Sequence, residues 1–155
     1  MAFRTGSDQQ RAYNAAKNTA RSLRQYCVDF NALAAAENVS GNLVLELRTR
    51  LIADNAVFDE VKNVPGIAAY AQDIEDDSTY DVAAEFTTMH TEVADAIGWI
   101  SANYPADANG WLQHEQLTGT GTDVRAFSPA QTAGLRTEVQ DVIDAIEEPL
   151  TALSG

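Results

Sequence analysis

Tyr13, Ala16, Ala20, Leu23, Cys27, Phe30 and Ala34 recur at steps of three and four. Only an α-helix gathers such positions onto one side, because about 3.6 residues complete each turn. This stripe commits the first quarter of the chain to a long amphipathic helix whose apolar side other helices must cover. Its small members, Ala16, Ala20 and Ala34, suit close helix packing more than an aromatic-rich core. Ser7 or Asp8 is placed to cap the helix, and "NVSG" at 38–41 breaks it after about Glu37.

The same period returns downstream. Val44, Leu47, Leu51, Phe58 and Val61 predict a second helix from about Asn42, ended by "NVPG" at 63–66. There Pro65 lacks an N–H and Gly66 tolerates unusual dihedrals. "GIAAYAQDI" predicts further helical turns before the acidic "EDDST". Val82, Phe86, Met89, Val93, Ile97, Ile100 and Tyr104 predict a third long helix, with Ser78 or Thr79 as its cap, Asp81 in its first turn and Pro105 as its end. Residues 110–127 change character. Trp111–Leu117 and Val124–Phe127 have strand-like content around a glycine-rich "TGTGTD", which predicts a β-hairpin. The last helix opens as a capping box, with Ser128 as N-cap, Pro129 at the first helical position and Gln131 three residues after the serine. Leu135, Val139, Val142, Ile146, Leu150 and Leu153 form its stripe, and Arg136 is solvated or paired with Gln140 or Asp141. The predicted fold is mainly α: a four-helix bundle with a small β-hairpin inserted before the last helix. It forms one domain over residues 9–155 behind an N-terminal arm of residues 1–8.

Composition supports a packed core. Apolar residues make up 45% of the 155, within the range of one folded domain. Cys27 is the single cysteine, so packing and not a disulfide must hold the fold. The chain lacks an apolar run long enough to cross a membrane, and "MAFRTGSDQQ" lacks the apolar region of a secretion signal, so the expected location is a cytoplasm or an assembly built there. The formal charge of −13 is uneven. Residues 1–24 hold five basic side chains against Asp8, and the remainder holds five basic against 22 acidic. An acidic surface keeps a protein soluble and disfavours direct nucleic-acid binding. The basic end is either solvated helix surface or a docking element for an acidic neighbour such as another copy, with Phe3, Arg4, Arg11 and Trp111 as the candidate interface residues and Trp111 alternatively a cover over the end of the bundle.

Candidate chemistry dissolves on inspection. Ser128 has Ala126 and Ala130 where a nucleophile elbow requires glycine. "DIEDDSTYD" at 73–81 has Ser78 where a calcium loop needs its glycine, and Ala84 where it needs its glutamate. His90 has Phe86, Thr87, Val93 and Ala94 at the spacings where a second metal ligand would stand. His114 and Glu115 alternate to opposite faces of a strand. Both histidines are expected to be exposed or hydrogen-bonded, and Cys27 to be a buried structural thiol. "TGTGT" lacks the lysine of a phosphate loop. The residues predict no catalytic, cofactor or metal site, and no enzyme.

Three stretches carry a resemblance: "VPGIAAYAQ" at 64–72, "YDVAAEF" with "WISANYP" across 80–105, and "RAFSPAQTAGLR" at 125–136. In this order they resemble small proteins encoded among the virion genes of tailed bacteriophages, where VPG-AAYA, YDV-EF, W-NFP and TPAQTAGLR segments recur. Ser128 stands where threonine is commoner, which preserves the cap. The resemblance spans roughly residues 60–145. It implies a non-enzymatic structural protein of the particle, present in several copies at the head–tail junction, capsid or tail. Its partners would be other virion proteins and copies of itself, with no membrane and no cofactor, in a virion assembled in the host cytoplasm. The charge leaves an alternative open: an acidic phage-encoded decoy that occupies a host nucleic-acid-binding protein.

Overall fold

The computed structural model of the chain describes residues 2–36, 41–103 and 129–152. Every regular element among them is helical: α1 (Ala2–Ala36), α2 (Gly41–Val61), α3 (Ile67–Glu75), α4 (Val82–Asn103) and α5 (Pro129–Ala152). The β-hairpin expected at 110–127 lies outside the described residues and has no support from the structure.

The four long helices form a bundle in which α1 lies against α2 and α5, and α4 lies against the same two. Side-chain contacts give the directions. Ser22 and Tyr26 of α1 meet Arg50 and Glu46 of α2 at 2.6 and 3.2 Å, so the pair is antiparallel. Phe58 and Arg48 of α2 meet Phe86 and Ser101 of α4, again antiparallel. Arg24 and Asn31 of α1 meet Glu147 and the Arg136 carbonyl of α5 in the same sense. The chain therefore runs up, down, up, down, with α1 and α4 on the diagonal. The short α3 bridges that diagonal by touching both.

The stripes are what the bundle buries. All seven residues of the α1 stripe and all five of the α2 stripe are buried. So are Val82, Phe86, Met89, Val93 and Ile100 in α4, and Leu135, Val139, Val142 and Ile146 in α5. Ile97 is only partly buried, because Ala96, three residues after Val93, falls nearer the centre of the stripe. Leu150 packs at the rim, while Tyr104 and Leu153 lie outside the described residues. Phe58 and Phe86 meet at 5.8 Å between ring centroids at the α2–α4 seam. Close approach has a specific device at α4–α5. A Cβ on Gly134 would collide with the Trp99 indole, so glycine there lets the ring lie against the helix backbone.

Two helix starts differ from expectation. α1 begins at Ala2 and not at Ser7 or Asp8, so the leading residues are helical. "AFRTG" contains no proline, and a lone Gly6 weakens a helix without stopping it. Asp8 pairs instead with Arg11 one turn on. For α4 the cap is Asp81, whose Oδ1 accepts the Ala84 N–H at 3.0 Å. Thr79 is already engaged, its N–H and hydroxyl both donating to Asp77 Oδ1 at 2.9 and 2.6 Å. An aspartate in a turn competes well for such local donors. α5 begins at Pro129 as expected, whereas its cap Ser128 lies outside the described residues.

Around α3 the backbone uses two left-handed residues, Gly66 (φ 77°) before it and Asp76 (φ 53°) after it. Gln9 donates to the Pro65 carbonyl at 2.6 Å, and a Cβ on Gly66 would strike that same side chain. The turn therefore needs glycine for its dihedral and for its contact with α1.

These assignments are measurable by urea denaturation. Phe86→Ala should cost about 3–5 kcal/mol, as for a fully buried aromatic, and Ile97→Ala distinctly less. Asp81→Ala should cost about 1 kcal/mol and Ser78→Ala almost nothing, the reverse of what a cap at Ser78 requires.

Candidate functional site

The most unusual group of polar residues lies where α3 meets α1. Lys17 and Glu75 retain only 7% and 3% side-chain exposure, with Nζ and Oε2 3.5 Å apart. Tyr13, one turn before Lys17, donates its hydroxyl to the same Oε2 at 2.5 Å. The Lys17 ammonium lies 4.6 Å from the Tyr13 ring centroid, and Tyr70 meets that ring edge-on at 6.2 Å. Burial, then the hydrogen bond to Glu75, pushes the Tyr13 hydroxyl far above its ordinary range, so it remains a donor. Tyr80 covers the cluster, its hydroxyl pushed up to about 12 by burial. It lies close to the Tyr13 hydroxyl and within electrostatic reach of Glu75. Gln72 ties α3 to this segment by donating to the Tyr80 carbonyl at 3.0 Å. Chemically this is a lock: a carboxylate shared by an ammonium and a phenol, closed off from water. Sequence reading missed it, counting Lys17 among the surface charges. The one local signal was that Lys17 follows Tyr13 by a single turn, and its acidic partner is 58 residues away.

The second feature is a surface. Thr88 and Glu92 of α4, with Asp141, Asp144, Ala145 and Glu148 of α5, line an open groove of about 400 Å³. α4 carries no lysine or arginine, and α5 carries only Arg136. Partial burial and then neighbouring carboxylates raise Glu92 and Glu138 above the usual carboxylate range. Glu85 is raised by burial and by Glu148. The groove is thus an uncompensated negative face that suits a cationic surface.

The basic end reads differently in three dimensions. Arg11 is exposed and pairs with Asp8, Lys17 is locked to Glu75, and Arg24 bridges to Glu147 at 2.6 Å. Much of the positive charge in α1 therefore serves contacts within the chain. Phe3 and Arg4 fall in the first turns of α1, with side chains outside the described residues, as are Trp111 and His114. Of the four expected interface residues, Arg11 alone has a described side chain. Arg136 is exposed. Cys27 is buried as expected, its thiol pushed up to about 12 chiefly by burial. His90 departs from expectation. It is half-buried, and its Nδ1 is enclosed with no hydrogen-bond partner, as is Oδ1 of buried Asn55. The register that sets Phe58 against Phe86 puts these two residues at one level of the α2–α4 seam. Among the described residues no group of three or more histidine, cysteine or carboxylate side chains is arranged to hold a metal ion. No described helix is long and apolar enough to cross a membrane.

Comparison with known proteins adds no relative: no family model, no curated protein and no solved structure matches the chain.

Lys17→Met should cost about 3–5 kcal/mol, because it leaves Glu75 buried and uncompensated. Adding Glu75→Gln should restore most of that loss in the same denaturation assay. A second expectation follows from the raised thiol and phenols. The folded chain holds these protons to higher pH than the unfolded chain does. The stability they contribute is complete below the ordinary thiol value of 9.0 and is lost as pH rises towards about 12. Urea midpoints across that window should fall, and Cys27→Ala should flatten the first part of the fall.

Proposed function

We propose that the protein is a non-enzymatic structural component of a tailed-bacteriophage particle, assembled in several copies at the head–tail junction, capsid or tail. One observation carries the reading. The segments that resemble phage virion-cluster proteins are the ones that join helix to helix. Gly66 shapes the turn against Gln9, and Tyr70 packs on Tyr13. Asp81 caps α4, and Trp99 lies against Gly134. What the resemblance shares is therefore a scaffold. The partners are other virion proteins and copies of the chain itself, without direct nucleic-acid or membrane contact, in a virion made in the host cytoplasm. The start of α1 is one contact point, through Phe3, Arg4 and Arg11, with Trp111 as a further apolar anchor.

A second reading is supported by the carboxylate-lined α4–α5 groove. Its charge imitates a phosphate backbone, as an acidic decoy for a host nucleic-acid-binding protein would require.

Mass spectrometry of purified particles separates the two. The structural reading expects the chain in stoichiometric amounts. Absence from particles, together with salt-sensitive capture of a host DNA-binding enzyme, would establish the decoy instead. Arg4→Glu with Arg11→Glu should lower incorporation into particles, more at low salt than at high. Unchanged incorporation would remove the start of α1 from the interface.

A further inference from the structure

The inner stripe of α2 is buried, and its outward side carries Ile52 and the small residues Thr49, Ala53 and Ala56 beside Glu46. Ile52 is 43% exposed, and Thr49, Ala53 and Ala56 are exposed as well. Beside this face runs an open groove of about 740 Å³ between α1 and α2, bordered by Tyr26, Glu46 and Arg50. Leu33, 42% exposed, lies two turns along α1 from Tyr26.

We propose that this face packs against the same face of a second copy, antiparallel, across a two-fold axis near Thr49. The inference rests on the reading that the protein works in several copies. Charge selects the occupant and its direction. Glu46 and Arg50 lie one turn apart on the α1 side of the face. In an antiparallel pair whose axis passes between Arg48 and Thr49, residues about equally far before and after that point stand opposite each other. Glu46 of one copy then faces Arg50 of the other, twice over. On the far side of the helix the exposed Ile52 faces the part-buried Leu45, also twice. A parallel pair would set Glu46 against Glu46 and Arg50 against Arg50, which like-charge repulsion disfavours. Thr49 and Ala53 at the centre are small enough for close helix approach. Arg50 is held in place by contacts within the chain. Its Nε donates to Asp54 at 2.7 Å, its Nη2 donates to Ser22 at 2.6 Å, and its guanidinium lies 5.1 Å from the Tyr26 ring centroid. Those two bonds use two of its five N–H donors.

Disulfide trapping in the full chain tests the arrangement, since buried Cys27 with its raised thiol does not compete. Glu46→Cys and Arg50→Cys chains are mixed in equal amounts and gently oxidised. The mixed disulfide should exceed either homodisulfide by at least about five-fold, where chance pairing gives two-fold. Sedimentation of the unmodified chain should show concentration-dependent dimers, and Ile52→Glu should weaken them at least about ten-fold with helix content unchanged. A chain that stays monomeric at all concentrations, homodisulfides in excess, or an Ile52→Glu variant that dimerises normally would overturn the proposal. These outcomes are independent of the virion assay. A dimer absent from particles would overturn the phage reading alone, and a virion protein that never dimerises would overturn this contact alone.

Discussion

Everything in this fold depends on covering the stripe of α1. It is the longest helix described, and its buried side reads tyrosine, alanine, alanine, leucine, cysteine, phenylalanine, alanine. Burying apolar surface is worth roughly 25 cal/mol per Å², so two helices must flank it before it is stable in water. α2 and α5 do so, and α4 then closes the square between them. The alanines let the neighbours approach, and the larger residues fill the space between layers. Once α1 is flanked, the end holding Tyr13 and Lys17 is left open, and α3 closes it. A lysine there is tolerable only because α3 brings Glu75, and Glu75 only because Tyr13 and Lys17 receive it. The buried pair is a consequence of the stripe's length and the condition for α3 to stay docked.

The helical architecture was legible because periodicity is local. Each stripe could be read from its own segment, and the five helices match the five helical segments that the spacing predicts. Boundaries were less legible, since a cap is a competition among neighbours. Ser78, Thr79 and Asp81 are all plausible caps in sequence, and the contest is settled by Asp77, which takes both donors of Thr79. The polar cluster was not legible, because it joins residues 58 positions apart through a helix whose placement no local pattern reveals. Nor was the fate of the positive charge in α1. Summing charges along the chain treats Lys17 and Arg24 as surface, whereas Glu75 and Glu147 engage them.

The two faces proposed for contacts differ in kind. The outward side of α2 offers apolar area with a reciprocal charge pair, which suits a partner of identical shape. The α4–α5 groove offers charge with little apolar area, which suits fast, loosely specified attraction. They lie on different helices of the bundle, so both can be engaged at once.

The carboxylate groove also ties the fold to its medium. Collapsing the chain draws Glu92, Asp141, Asp144 and Glu148 together, and no lysine on those helices relieves the crowding. The folded state must therefore gather more mobile cations around itself than the extended chain does. By linkage, whatever the native form collects in excess favours the native form. Dissolved sodium or potassium then acts as a diffuse ligand of the bundle. The stability of this molecule belongs partly to the ions around it and not to the polypeptide alone.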